Sequence, residues 1–304
     1  MNPIILLFFG ASFVSLSQHF IGHLLGHCAI MAFYVVCMTC WALYRYFKTV
    51  SDNDTLMHNQ MKNLQKIENP ETENYLKKIF LKYNNIKNIE IRKNDFPSLI
   101  NAETNQDSQK NVLLTVSSKI IETIENKKIS FSCQDPITQE SYNAEYTEQD
   151  LEGLITHEAA HIVYQDNVTR TYDYAIAIFF DGIFAALGAH LGYLLHGTAN
   201  QALFMSFTGF FIMDTFAGSC IRAFRRYQET RADRFVIKQK NKALIKGLQT
   251  FHLIDYGTHP GNKADILYAN TKIKRLQITN LRSHPWPQDR IAMCKKALAQ
   301  LETH

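Results

Sequence analysis

Charge is what two stretches of this 304-residue chain lack. Between residues 3 and 47 the only Lys, Arg, Asp or Glu is Arg45, and between 174 and 221 the only ones are Asp181 and Asp214. Elsewhere the sequence is ordinary polar globular sequence, with 20% charged residues overall and a net charge of +4. It has no dense Lys/Arg stripe with interleaved aromatics, so nucleic acid is not an expected partner. It also has no internal repeat and no low-complexity tract, which excludes solenoids and disordered arrays. The six cysteines form no disulfide framework. Cys28, Cys37, Cys40 and Cys220 lie in apolar runs, where a thiol behaves as a small hydrophobe. Cys133 and Cys294 lie in polar sequence. Cys37 and Cys40 form a CxxC pair without a second pair, so they read as core or lipid-facing. The polar part is therefore expected in a reducing compartment.

The charge-poor stretches have membrane dimensions. Residues 174–195 and 201–221 are apolar over 22 and 21 positions. At about 1.5 Å per residue each helix would run about 30 Å, the thickness of a bilayer core. Gly197, Thr198 and Asn200 between them predict a turn, hence a hairpin that crosses and returns. A buried hairpin of a soluble protein is the alternative. Residues 3–16 and 28–47 predict a second pair, although a signal peptide competes for the first run. The expectation is about four transmembrane helices. Arg45, Lys48, Arg170, Arg222, Arg225 and Arg226 flank the spans on one side, and the opposite connections carry no Lys or Arg. This bias places the polar domain and both termini in the cytoplasm. His19, His23 and His27 recur every four residues, as interfacial histidines or a second metal site. Asp181 and Asp214 fall at similar depth in the hairpin, as a hydrogen-bonded pair or the lining of a hydrated path.

The polar sequence predicts an α+β domain, mostly helical with a small sheet. Helical spacing marks 51–85, strands are predicted at 88–93 and 111–117, and a helix at 119–126. A loop with a short hairpin is expected over 127–147. The helix 222–240 continues the last span, 256–264 is a Gly/Pro loop, and 288–301 closes the chain as an amphipathic helix. The organisation expected is an N-terminal transmembrane pair (1–47), a hairpin (173–221), and a polar domain made of 48–172 and 222–304.

One pentapeptide carries the chemistry: His157-Glu158-Ala159-Ala160-His161. Thr147, three residues before Asp150, marks a helix start. Leu151, Leu154, Ile155 and Ile162 then recur at helical spacing. On that helix His157 and His161 lie one turn apart and reach one ion, while Glu158 reaches a water on it. Catalytic zinc needs a third ligand and an open position. Glu229-Thr230-Arg231-Ala232-Asp233 offers one: Glu229 as ligand, with Asp233 holding a histidine N–H. By itself that segment also reads as a solvated charge cluster with Arg226, Arg231 and Arg234.

In order, these pieces resemble the HtpX-type integral-membrane zinc endopeptidases, relatives of the CAAX prenyl proteases. The resemblance covers an N-terminal apolar pair, the Asn101-Ala102 pair, the HExxH helix, the apolar pair, the ExxAD helix and a late His284-Pro285…Arg290. It implies a gluzincin-type fold and one zinc ion held by His157, His161 and Glu229, with Glu158 as base. It further implies His284 or Arg290 assisting the oxyanion, and a strand at Asn101-Ala102 lining the cleft. Trp286 and the continuation Glu103-Thr104 depart from the family pattern, which bears on substrate preference. The implied protein is a multi-pass enzyme of a bacterial inner membrane that cleaves membrane-associated proteins or peptides in quality control. A processing protease for one dedicated substrate, such as a prenylated peptide, is the second reading, and a non-catalytic membrane scaffold the third.

Overall fold

The computed structural model describes residues 23–83, 88–94, 100–135, 138–196, 199–258 and 284–303. The elements in chain order are α1 (His23–Asn63), β1 (Gln65–Lys66), α2 (Pro70–Leu81), β2 (Ile89–Asn94), β3 (Ala102–Gln106) and β4 (Val112–Ser117). They continue with α3 (Ser118–Asn126), β5 (Lys128–Gln134), β6 (Ser141–Thr147), α4 (Glu148–Val163) and α5 (Asp166–His196). The last three are α6 (Ala199–Lys238), α7 (Lys242–Thr258) and α8 (Pro287–Glu302). The fold is mostly helical with a small sheet. It divides into two compact units, Met1–Ser51 with Thr169–Ile221, and Asp52–Val168 with Arg222–His304.

The second unit is built around α4. Its start is capped as its residues dictate: Asp150 N–H donates to Thr147 Oγ1 at 3.3 Å, and Thr147 N–H donates to Asp150 Oδ2 at 2.9 Å. Leu151, Leu154 and Ile155 are fully buried among Leu76, Phe80, Val116 and Ile120. The side that packs on α7 requires two glycines. A Cβ on Gly153 would lie 2.4 Å from the Leu244 carbonyl oxygen, and one on Gly247 would lie 2.4 Å from that of Asp150. This crossing brings the two backbones together. A second core of Val236, Leu244, Leu248, Cys294 and Ala297 joins α6, α7 and α8.

The four-stranded sheet runs β1-β2-β4-β3. β2 and β4 are parallel, and β3 is antiparallel to β4 with Ala102 opposite Val116. All six residues of β4 are buried, as its apolar run demands. β3 forms an edge. The 127–147 segment is a two-stranded hairpin, β5 with β6. Strands β2 and β4, helix α3 and helix α8 match the sequence expectation within a residue or two. Helix α7 was not anticipated, and strand β3 was expected from the family resemblance alone. β3 is short and polar (Ala-Glu-Thr-Asn-Gln), and packing against β4 and α4 overrides its low strand propensity. Residues 256–258 of the expected 256–264 loop belong to α7, which runs to Thr258, and 259–264 lie outside the described residues.

In the first unit, α5 and α6 approach closely: a Cβ on Gly188 would meet the Met205 carbonyl oxygen at 2.2 Å. Ala185, Ala189 and Ala217 are buried, whereas Phe204, Phe211, Ile212 and Phe216 are exposed. Small residues at a helix crossing and large apolar ones facing outward are the pattern of helices packed in lipid. Among the described residues one helix, Phe204–Lys238, is long and apolar enough to cross a membrane, and Phe179–Gly192 is a shorter apolar helix. The charge-poor part of the longer helix ends before Arg222. The expected span at 3–16 and His19 lie outside the described residues, as do the side chains of His23 and His27. Asp181 is buried and Asp214 exposed.

Candidate metal centre

α4 carries His157 and His161 on one face, with their Nε2 atoms 3.2 Å apart and the rings nearly perpendicular at 86°. α6 supplies Glu229, whose Oε2 lies 3.4 Å from His157 Nε2 and whose Oε1 lies 3.7 Å from His161 Nε2. Zinc bonds of about 2.0–2.1 Å at tetrahedral angles put neighbouring ligand atoms about 3.3 Å apart. The two imidazoles and the carboxylate have that spacing. His157, Glu158 and His161 also offer ligand atoms that all lie within 4.8 Å of one another.

The outer partners decide what the nitrogens present. Asp166 Oδ2 lies 2.7 Å from His161 Nδ1, which must therefore carry the hydrogen. Asp233 Oδ1 lies 2.8 Å from His157 Nδ1, off the ideal hydrogen-bond direction. Both Nε2 atoms are then lone pairs directed at each other and at a carboxylate. Three acceptors converging in a buried space require a cation. Without a metal a proton takes that role. Burial opposes the charged form of His157, but the adjoining carboxylates of Asp233 and Glu229 outweigh it and raise its pKa to about 10. Glu229 is buried, which favours its neutral form, yet hydrogen bonds from His157 and His284 and the charge of Arg290 hold it well below the usual carboxylate range. The donor set therefore fits a divalent, nitrogen-preferring ion such as zinc.

Each histidine is held by a carboxylate, and each carboxylate by an arginine. Arg290 Nε and Nη2 donate to the two oxygens of Asp233, both at 2.7 Å. Arg231 Nη2 donates to Asp166 Oδ1, and its guanidinium lies 4.2 Å over the Tyr164 ring. His252 of α7 brings Nε2 to 3.4 Å from Asp233 Oδ1. Burial lowers its pKa to about 4, helped by the charge of Arg290, so it is neutral.

The other anticipated residues lie around this centre. Glu158 is buried, and burial raises its pKa against the opposing charges of His161 and His157. His284 is exposed, with Nδ1 3.7 Å from Glu229 Oε1. Arg290 is buried, spent on Asp233, and 3.5 Å from Glu229 Oε2. Asn101 O accepts from Ser117 N–H at 2.9 Å, so the antiparallel alternation turns the backbone groups of Ala102 toward the open edge of β3. Asp166, Arg231, His252 and Thr104 were missed as site residues. A signal existed for Asp166: an acidic residue opening a long apolar run reads as a helix start. Gln165, at φ 55°, turns the chain there and returns Asp166 to His161.

Residues 100–298 match the sequence model of peptidase family M48. This chain belongs to that family. M48 peptidases are zinc metalloproteases. No curated protein matches the M48 chain in sequence. Among solved structures it is similar to that of S. mikatae Ste24p, at 12% identity and a TM-score of 0.49. That likeness covers 94% of this chain but only 60% of the other.

Proposed function

We propose that this M48 peptidase is a membrane-embedded endopeptidase that cleaves membrane or membrane-proximal proteins in quality control. The convergence of His157, His161 and Glu229 beside a buried Glu158 carries the reading. Zinc bound by those three side chains would acidify a water molecule and polarise a peptide carbonyl. Glu158 takes the proton as water attacks the carbonyl and delivers it to the leaving amine. The elevated proton affinity of its buried carboxyl suits both halves of that transfer. His284 donates toward the carbonyl oxygen as charge develops there. Arg290, committed to Asp233, holds Glu229 and Asp233 in place.

The substrate lies extended along the open edge of β3 at Asn101-Ala102, adding a strand through its backbone. Backbone recognition favours breadth over a single sequence, which supports quality control above a dedicated processing role. The membrane reading rests on the apolar helix of α6, its outward-facing phenylalanines and the flanking arginines. These support a multi-pass protein with its catalytic unit in the cytoplasm, and the family resemblance adds a bacterial inner membrane as the location.

The test is Glu158→Gln in the purified full chain. Zinc content should stay at one per chain while cleavage of an unfolded membrane protein is lost. Normal cleavage by that variant removes Glu158 as base. Cleavage of one defined peptide with unfolded proteins untouched points to processing instead. No zinc and no cleavage in the parent protein leaves only a scaffold.

A further inference from the structure

The hydroxyl of Thr104 lies 3.2 Å from Glu158 Oε2 and 3.4 Å from the Glu158 carbonyl oxygen. Thr104 is 5% exposed and stands on the inward face of β3 with Ala102, while Glu103 between them is exposed. One hydroxyl has one proton. The carboxylate takes it in preference, being the nearer and more basic acceptor, since the Glu158 carbonyl already lies inside the hydrogen-bonded ladder of α4. Threonine is stiff at χ1, so its oxygen is presented from a fixed direction by a strand pinned along β4.

We propose that Thr104 is a positioning residue for the catalytic base: it ties down one oxygen of Glu158 and leaves the other aimed at the reacting water. The proposal rests on Glu158 acting as the base. It gives β3 two duties. Its edge receives the substrate backbone and its inward face orients the group that moves the proton, so a single strand registers the scissile bond against the base.

Without the hydrogen bond, the buried carboxylate samples other rotamers and the productive one is rarer. That lowers the chemical rate without touching substrate binding or metal ligation. Thr104→Val keeps shape and removes the hydroxyl. It should lower kcat about tenfold, the lower end of the value of a hydrogen bond to a charged group. KM, zinc content and melting temperature should stay at parental values. Thr104→Ser and Thr104→Ala open a similar gap and differ in the hydroxyl. Serine should recover most of kcat and alanine none of it, a ratio that isolates the hydrogen bond if the valine variant folds poorly. In a Glu158→Gln background Thr104→Val should change nothing further, since Thr104 acts through Glu158. Parental kcat in Thr104→Val, equal kcat in the serine and alanine variants, or a loss that tracks KM or zinc overturns the positioning role. An active Glu158→Gln enzyme overturns the proposed base instead, so the two failures are separable.

Discussion

The two histidines of the metal centre are supported by arms of the same chemistry and different construction. The arm of His161 is local at its first link. Asp166 follows five residues later, and the Arg231 behind it keeps 24% of its side chain exposed and rests on Tyr164. The arm of His157 is long-range and dry. Asp233 is fully buried, Arg290 reaches it with two parallel hydrogen bonds across 57 positions of sequence, and buried His252 closes the far side. An ion held by both arms is thus anchored on one side by a chain turn and on the other by the packing of α6, α7 and α8. The dry arm should govern folding, and the local arm should govern metal affinity with little effect on the fold.

The largest separation should come from Asp233→Asn. It takes from the buried Arg290 guanidinium the carboxylate that accepts its two hydrogen bonds and leaves Glu229 at 3.5 Å, a loss of about 3 kcal/mol. Urea unfolding of the metal-free protein should register it, and a midpoint equal to the parent's would remove the distinction between the arms.

The next effect is pH-dependent and belongs to the dry arm. His157 in the metal-free fold has its pKa raised from 6.5 to about 10, so the folded state holds more protons than the unfolded between those values. Its contribution is fully present below 6.5 and is lost as pH rises toward 10. His252 is lowered from 6.5 to about 4, so its neutral form stabilises the fold above 6.5 and that contribution is lost as pH falls toward 4. Metal-free stability should peak near pH 6.5. Saturating zinc, which needs His157 unprotonated, should flatten the alkaline side. Denaturant midpoints across pH 5–9 test both, and a steady rise through that range would contradict the assignment.

Asp166→Asn should sharpen the contrast from the other side. Arg231 keeps its access to water and Tyr164, so folding should change less than in Asp233→Asn. Zinc affinity should drop about 10–100-fold, the usual cost of disturbing a ligand's hydrogen-bond partner, as measured against a competing chelator. The smallest effect is expected from Arg231→Gln, below about 1 kcal/mol in stability, because a partly exposed guanidinium over an aromatic ring contributes little. A loss as large as that of Asp233→Asn would make the arms equivalent.

The legibility of these features in sequence follows the same division. His157, Glu158 and His161 were readable because a helix converts a four-residue spacing into a shared face, and Thr147 with Asp150 marked where that helix begins. Strand β2 was readable from its alternating isoleucines and β4 from its apolar run. Strand β3 was legible only through the family resemblance, since Ala102, Glu103 and Asn105 are strand-averse residues placed there by neighbours. Thr104 escaped notice for the same reason: its role is created by a strand lying across the catalytic helix. His252 sits in a helix that no motif announced, brought to Asp233 by the close passage of Gly153 over Gly247.

By itself the sequence determined the helix that carries His157 and His161, the candidacy of Glu158 and Glu229, and the charge-poor stretches of membrane length. These are properties of spacing and composition within one element, and regular backbone geometry translates them directly. The tertiary structure alone decided which carboxylate serves which histidine, that Arg290 is committed to Asp233, and that the polar edge strand presents a hydroxyl to Glu158. Those pairings join residues up to 76 positions apart, as His157 and Asp233 are. Their partners are chosen by how helices and strands pack, a competition among many contacts of similar strength that no local pattern encodes.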